Sequence, residues 1–181
     1  VALNNQSNVE RNAYYTRLNA SIDVTRVLLK QGLPFRGHDE SDESLNKGNF
    51  KELHAYTAEQ NPAVRKVVAH NAPGNNQLTS SKIQKDIVEC FAKEILHSVL
   101  REIGNDVFSL LVDESRDVAG KEQMAVVLRY VGKCGSAIET LVGLTHVKET
   151  TSNYLKSAID DLFAEYKLSF KQVRGQGYDS A

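Results

Sequence analysis

The chain has 181 residues with 41 % hydrophobic and 25 % charged residues and a formal net charge of −1, a composition that excludes disordered, collagen-like and membrane classes. The absence of a long apolar run excludes a membrane-spanning helix, the polar start Val1-Ala2-Leu3-Asn4-Asn5-Gln6 lacks a secretory leader, and the near-neutral charge argues against a chain-wide electrostatic grip on nucleic acid. The two cysteines, Cys90 and Cys134, build neither a disulfide framework nor a four-cysteine zinc site, so a reducing, intracellular setting is expected.

In chain order, residues 9–31 place Val9, Ala13, Leu18, Ile22, Thr25, Val27, Leu28 and Leu29 at mainly helical spacing, and Gly32 followed by Leu33-Pro34 ends the helix. Residues 35–44 form an acidic run with Ser and Gly, the chemistry of a solvated loop. A shorter amphipathic stretch covers residues 49–59, and Pro62 opens another short helix through Val67. After the breaker Asn71-Ala72-Pro73-Gly74, a long helix starts with Ser80 or Ser81 as its cap and carries Ile83, Ile87, Phe91, Ile95, Val99 and Ile103 at i, i+4.

Past Gly104 the hydrophobic period shortens from about 3.6 to 2, the mark of a sheet. Strands are expected over residues 107–113, 123–131 and 136–146, the last two joined by a hairpin at Gly132-Lys133-Cys134-Gly135. Thr150-Thr151-Ser152 then caps an amphipathic helix carrying Tyr154, Leu155, Ala158, Ile159, Leu162, Phe163 and Tyr166. A fourth strand starts at residues 171–174 and lies parallel to an earlier one, because a helix carries the chain back to the sheet. The reading is α/β: three antiparallel strands, a crossover helix and the start of a parallel strand, the front half of an RNase H-like sheet in residues 105–181, after a mainly helical region in residues 1–104. A start at Val1 and an end just after a Gly-rich stretch lead us to expect a truncated fragment.

Two acids stand at strand ends. Asp113 closes the apolar strand Phe108-Ser109-Leu110-Leu111-Val112, where a carboxylate is costly unless water, a donor or a metal receives it. Alternation turns Asp113 and Glu114 to opposite faces if the strand persists, and the plainer reading of residues 113–117 is a charged turn. Asp179 follows Arg174-Gly175-Gln176-Gly177-Tyr178, at the carboxyl end of a parallel strand, where ligand sites of open α/β sheets gather. Taken alone it is a turn residue; together the two acids suit Mg²⁺ or Mn²⁺, hard cations that take oxygen ligands.

The stretch from Phe108 to Asp117, then Lys121-Glu122-Gln123-Met124 with Val127-Leu128-Arg129-Tyr130-Val131, and Arg174 to Asp179 resemble the domain of unknown function of zinc finger MYM-type-like and TTF-type zinc-finger proteins. That family is similar to hAT transposases. Gly48-Asn49-Phe50 with Leu53, and Gln77-Leu78-Thr79-Ser80, extend the resemblance over nearly the whole chain. It implies an RNase H-like fold whose active members bind divalent metal through two aspartates and a later glutamate for DNA strand cleavage and transfer. Asp113 matches the first aspartate and Asp179, 66 positions on, the second. Ser180 departs from the family's glycine, and the residues at hand supply no third acid, so strand transfer by this chain alone is not expected. The resemblance further implies a nuclear protein with DNA as a partner of the full-length molecule, oligomerisation through regions outside this chain, and no membrane. The rival reading is a domesticated, non-enzymatic module for protein or DNA interaction; a nuclease that cleaves without joining is a third.

Elsewhere, His38, His54, His70, His97 and His146 show no metal-ligand spacing, and Ser115 has no nucleophile-elbow sequence. Lys82, Lys85, Lys93 and Arg101 give the long helix a partly basic face, balanced by Asp86, Glu89 and Glu94.

Overall fold

The computed structural model describes residues 2–41, 43–149 and 151–178, with the side chains of the helical residues from 7 onward. The chain forms two compact units, Val1–Ala92 and Lys93–Ala181.

In the first unit, α1 (Ala2–Gln31) begins earlier than the periodicity predicts. It ends as Gly32 turns left-handed at φ +63: the Leu33 amide donates to Leu28 O at 2.9 Å and the Gly32 amide to Leu29 O at 3.2 Å, which satisfies the last carbonyls. The buried stripe runs through Arg17, Ala20, Ser21, Val24, Thr25 and Leu28, whereas Val9, Val27 and Leu29 are exposed. Hydrophobicity alone misjudges this face, because half of the stripe is polar. Residues 33–41 and 43–48 have neither helix nor strand, yet the segment is anchored: Phe35 stacks on Phe50, which stacks on His54, each pair with ring centroids 6.1 Å apart. Here the backbones of Gly37 and Gly48 cross, and a Cβ on Gly48 would lie 2.0 Å from Gly37 N, so only glycine fits. The chain continues through α2 (Asn49–Gln60) and α3 (Pro62–Arg65). The Asn61 side chain caps α3 by accepting from the amides of Ala63 and Val64 at 2.9 and 3.4 Å, with Pro62 in the first turn as expected.

Helix α4 (Ser81–Ile103) is entered with Ser80 Oγ accepting from the Ile83 amide at 3.4 Å, and Gly104 at φ +53 follows its last residue. Its apolar residues do not form one straight face. Ile87, Val99 and Ile103 are buried while Ile95, between them in the row, is 60 % exposed. Val99 and Ile103 join the core of the sheet, and the end of α4 therefore belongs to the second unit.

That unit holds β1 (Phe108–Arg116), β2 (Glu122–Val131), β3 (Ala137–His146), α5 (Ser152–Tyr166) and β4 (Val173–Tyr178). The strand order is β3-β2-β1-β4, with β1 antiparallel to β2, β2 antiparallel to β3 and β4 parallel to β1, as the sequence predicts. Every second residue of β1 and β2 (Phe108, Leu110, Val112; Met124, Val126, Leu128, Tyr130) is buried on one face against Ile159, Leu162 and Phe163 of α5. Burial of each such large side chain contributes roughly 1.5–3 kcal/mol. Tyr130 keeps its hydroxyl satisfied by donating to Glu102 at 3.3 Å, and burial together with that carboxylate raises the phenol's pKa. At the start of α5, Thr151 occupies the cap position without a side-chain hydrogen bond, so the predicted Thr/Ser cap operates by backbone alone; Thr150 lies outside the described residues. Between α5 and β4, the Gln172 amide donates to Gly104 O and Asp106 O at 3.0 and 2.9 Å, which fixes where β4 enters beside β1.

Candidate functional site

The strand β1 persists three residues beyond the predicted end, to Arg116, and this decides what the acidic run is. Asp113, Glu114, Ser115 and Arg116 are strand residues; the turn proper spans Asp117 to Lys121. Because side chains alternate, Val112 and Glu114 share the face of the core and Asp113 shares the opposite, open face with Leu111 and Ser115. Asp113 is exposed there, so water receives its charge and the cost anticipated for a buried carboxylate does not arise. Across the ladder it faces Ala125, whose small side chain leaves room beside the carboxylate. Among the described residues Asp113 has no hydrogen-bond or ion-pair partner, in contrast to the charged groups around it. Arg116 pairs with Glu122. Asp117 accepts from the amides of Ala119 and Lys121 at 2.8 and 2.9 Å and from Gln123 Nε2 at 3.2 Å. The Lys121 amide above all, then Ala119, Gln123 and the charge of His146, hold the Asp117 carboxyl below its usual range against an opposing desolvation.

On the other side of β1, parallel β4 pairs Ser109 with Gly175, Leu111 with Gly177 and Val112 with Tyr178. Side chains of β1 lean over both glycines: a Cβ on Gly175 would stand 2.9 Å from Ser109 Oγ, and one on Gly177 2.9 Å from Leu111 Cδ2, so a larger residue would make those side chains shift. The described end of β4 thus lies beside Val112 of β1, and Asp113 is the next residue of β1, three positions before that strand ends at Arg116. Asp179, the residue after Tyr178, lies outside the described residues.

The topology and this strand-end acid belong with a further finding: residues 1–181 match the family described as DUF4371, the ZMYM1/FAM200 RNase-like domain. The chain belongs to that family. Two curated relatives carry the name "52 kDa repressor of the inhibitor of the protein kinase": the Homo sapiens protein is 25 % identical over 166 residues, 89 % of this chain and 22 % of its own length. The Mus musculus protein is 24 % identical over 165 residues, again 89 % of this chain and 22 % of its own. The RNase-like domain therefore spans about a fifth of the length of these relatives. No solved structure matches.

Within this RNase-like domain, the donor chemistry of the strand end suits a hard cation: an exposed carboxylate that no protein group neutralises. The number of donors is smaller than a metal site needs, since among the described residues no group of three or more His, Cys, Asp or Glu side chains is placed to hold a metal. Among the described residues no histidine joins such a group. His54 is buried beside Phe50, and His146 Nδ1 lies 2.9 Å from Glu122 O. Cys90 and Cys134 are exposed free thiols. Ser115 shares the open face of β1 with Asp113, and no histidine among the described residues of β1 or β2 stands beside it. Lys82, Lys85, Lys93 and Arg101 are exposed on α4, and no helix among the described residues is long and apolar enough to cross a membrane. Residue-type reasoning missed Ala125 and Gly177, which shape the space around β1; cross-strand register, absent from a one-dimensional reading, is what reveals them.

Proposed function

We propose that this domain is the front half of an hAT transposase-derived, RNase H-like scaffold in a nuclear, DNA-associated protein, and that this chain alone does not cleave or join DNA. The observation that carries the reading is the pairing of β1 with parallel β4, which brings the described end of β4 beside Val112, the residue before an Asp113 that has no partner among the described residues. In the proposal Asp113 and Asp179 are the first two acids of a divalent-metal site. The register of β1 supports this: Leu111 pairs with Gly177 of β4, and Asp113 follows two residues further along β1 on the same open face as Leu111. A bound Mg²⁺ or Mn²⁺ would polarise a phosphodiester and lower the pKa of a water in this kind of chemistry. The two carboxylates of this chain would hold the ion, and the third ligand of the family's active members would come from elsewhere in the parent protein. The nuclear setting is supported by the relatives' naming as repressors, and DNA as partner by the likeness to hAT transposases.

Calorimetric titration of the 181-residue chain with Mn²⁺ tests the reading. Binding that weakens at least tenfold in Asp113→Asn is the expected result. Equal binding by the two proteins, or none, would remove the metal site and leave the second reading, a non-enzymatic interaction module. That alternative is favoured because, among the described residues, no group of three or more His, Cys, Asp or Glu side chains is placed to hold a metal.

A further inference from the structure

A second cleft opens on the other side of the sheet, where α5 overhangs β3. Its volume is about 430 Å³, and its lining includes Thr145 and His146 of β3 with Tyr154, Asp161, Glu165 and Tyr166 of α5. The α5 residues recur at helical intervals, so one flank of the helix faces the cleft while its apolar stripe serves the core. Two tyrosines, Tyr154 and Tyr166, stand in the wall, aromatic rings of the kind that attract a cation, and neither Lys nor Arg contributes to the lining. Asp160, on the neighbouring flank, is paired with Lys156 at 2.7 Å. Asp161 and Glu165, one turn apart, have no hydrogen-bond or ion-pair partner among the described residues. Beside the cleft, β3 is an edge strand, and among the described residues no strand pairs with its outer N–H and C=O groups, the kind of edge to which an extended chain adds.

We infer that this cleft receives a lysine or arginine side chain from a basic, extended segment of a partner protein that adds along the free edge of β3. The cavity, the tyrosines and the open edge point to a peptide independently of the acids, and the acids set its charge. A nucleic-acid strand does not fit, because its phosphates would meet Asp161 and Glu165.

The test is a ¹⁵N NMR titration of the full 181-residue chain with a capped heptapeptide of alternating threonine and valine carrying one central lysine, and with the same peptide carrying norleucine instead. The lysine peptide is expected to shift the amides of Thr145, His146 and Tyr154 saturably, and to bind at least tenfold more tightly than the norleucine peptide. The double variant D161N/E165Q changes two exposed positions and is expected to lose the same tenfold. Equal affinity of the two peptides for the unaltered chain, or shifts that map away from α5 and β3, would overturn the inference whatever the variant does.

Discussion

Asp113 and Asp117 lie four positions apart and do opposite things. Asp117 spends its oxygens on the turn between β1 and β2, where two amides and Gln123 hold it; Asp113 is exposed and held by nothing among the described residues. The two are therefore separable by experiment. Asp113→Asn is expected to leave the urea midpoint unchanged, whereas Asp117→Ala is expected to lower it. The sign with pH follows from the depressed carboxyl of Asp117: its contribution is present above the ordinary carboxylate pKa and is lost as pH falls through the lower folded-state value. His54 behaves differently. Buried at 7 % exposure, with Nε2 lacking a hydrogen-bond partner, it has a pKa lowered by desolvation. Below the ordinary histidine value of about 6.5 the unfolded chain takes up a proton that the folded chain refuses, so stability declines as pH falls from there toward the folded-state value. Urea unfolding at pH 7.5 and 5.5 should show a smaller difference in His54→Leu than in the unaltered chain; an equal difference would place the titration elsewhere.

Helices and strands of the second unit were legible because their periods are clean. The alternation of Met124, Val126, Leu128 and Tyr130 gives β2 its buried face directly, and a core position so defined predicts its own cost: Leu128→Ala should destabilise by about 2–5 kcal/mol in urea unfolding. The ends of elements were less legible. The strand β1 runs on through Asp113 to Arg116 because β2 supplies partners as far as Glu122, and a polar strand end has no hydrophobic signature to announce it. In α4 the i, i+4 row suggests one continuous buried face, yet Ile95 in the middle of it is exposed, because periodicity does not say along which part of a helix a partner packs. The end of α5 hid another feature: Lys167 takes the left-handed conformation at φ +56 in the position that glycine usually fills. Lys167→Gly should therefore raise stability by roughly 0.5–1 kcal/mol, because the Cβ strain goes and the exposed position loses no packing. Thermal unfolding is sensitive enough to read that difference.

For the molecule as a whole, the fold class was legible because a β-β-β-α-β order constrains the topology strongly, and the family was legible only through the resemblance that residues 108–117, 121–131 and 174–179 carry. The site was legible only in part. Asp113 was found from an acid closing an apolar strand; that it faces the open side beside Ala125, with Gly175 and Gly177 on the next strand, depends on register and pleat. The first unit was read least well, since its buried stripe mixes Arg17, Ser21 and Thr25 with Ala20, Val24 and Leu28, and tertiary packing rather than hydrophobic period selects it. The central claim is that the strand end at Asp113 is a cation site, and paramagnetic broadening by substoichiometric Mn²⁺ in ¹⁵N NMR spectra of the 181-residue chain tests it most directly. The account predicts that amides of residues 112–115 and of Ala125 broaden first and that Asp113→Asn abolishes the effect. Broadening centred on Asp161 and Glu165, or indifferent to Asp113→Asn, would contradict it.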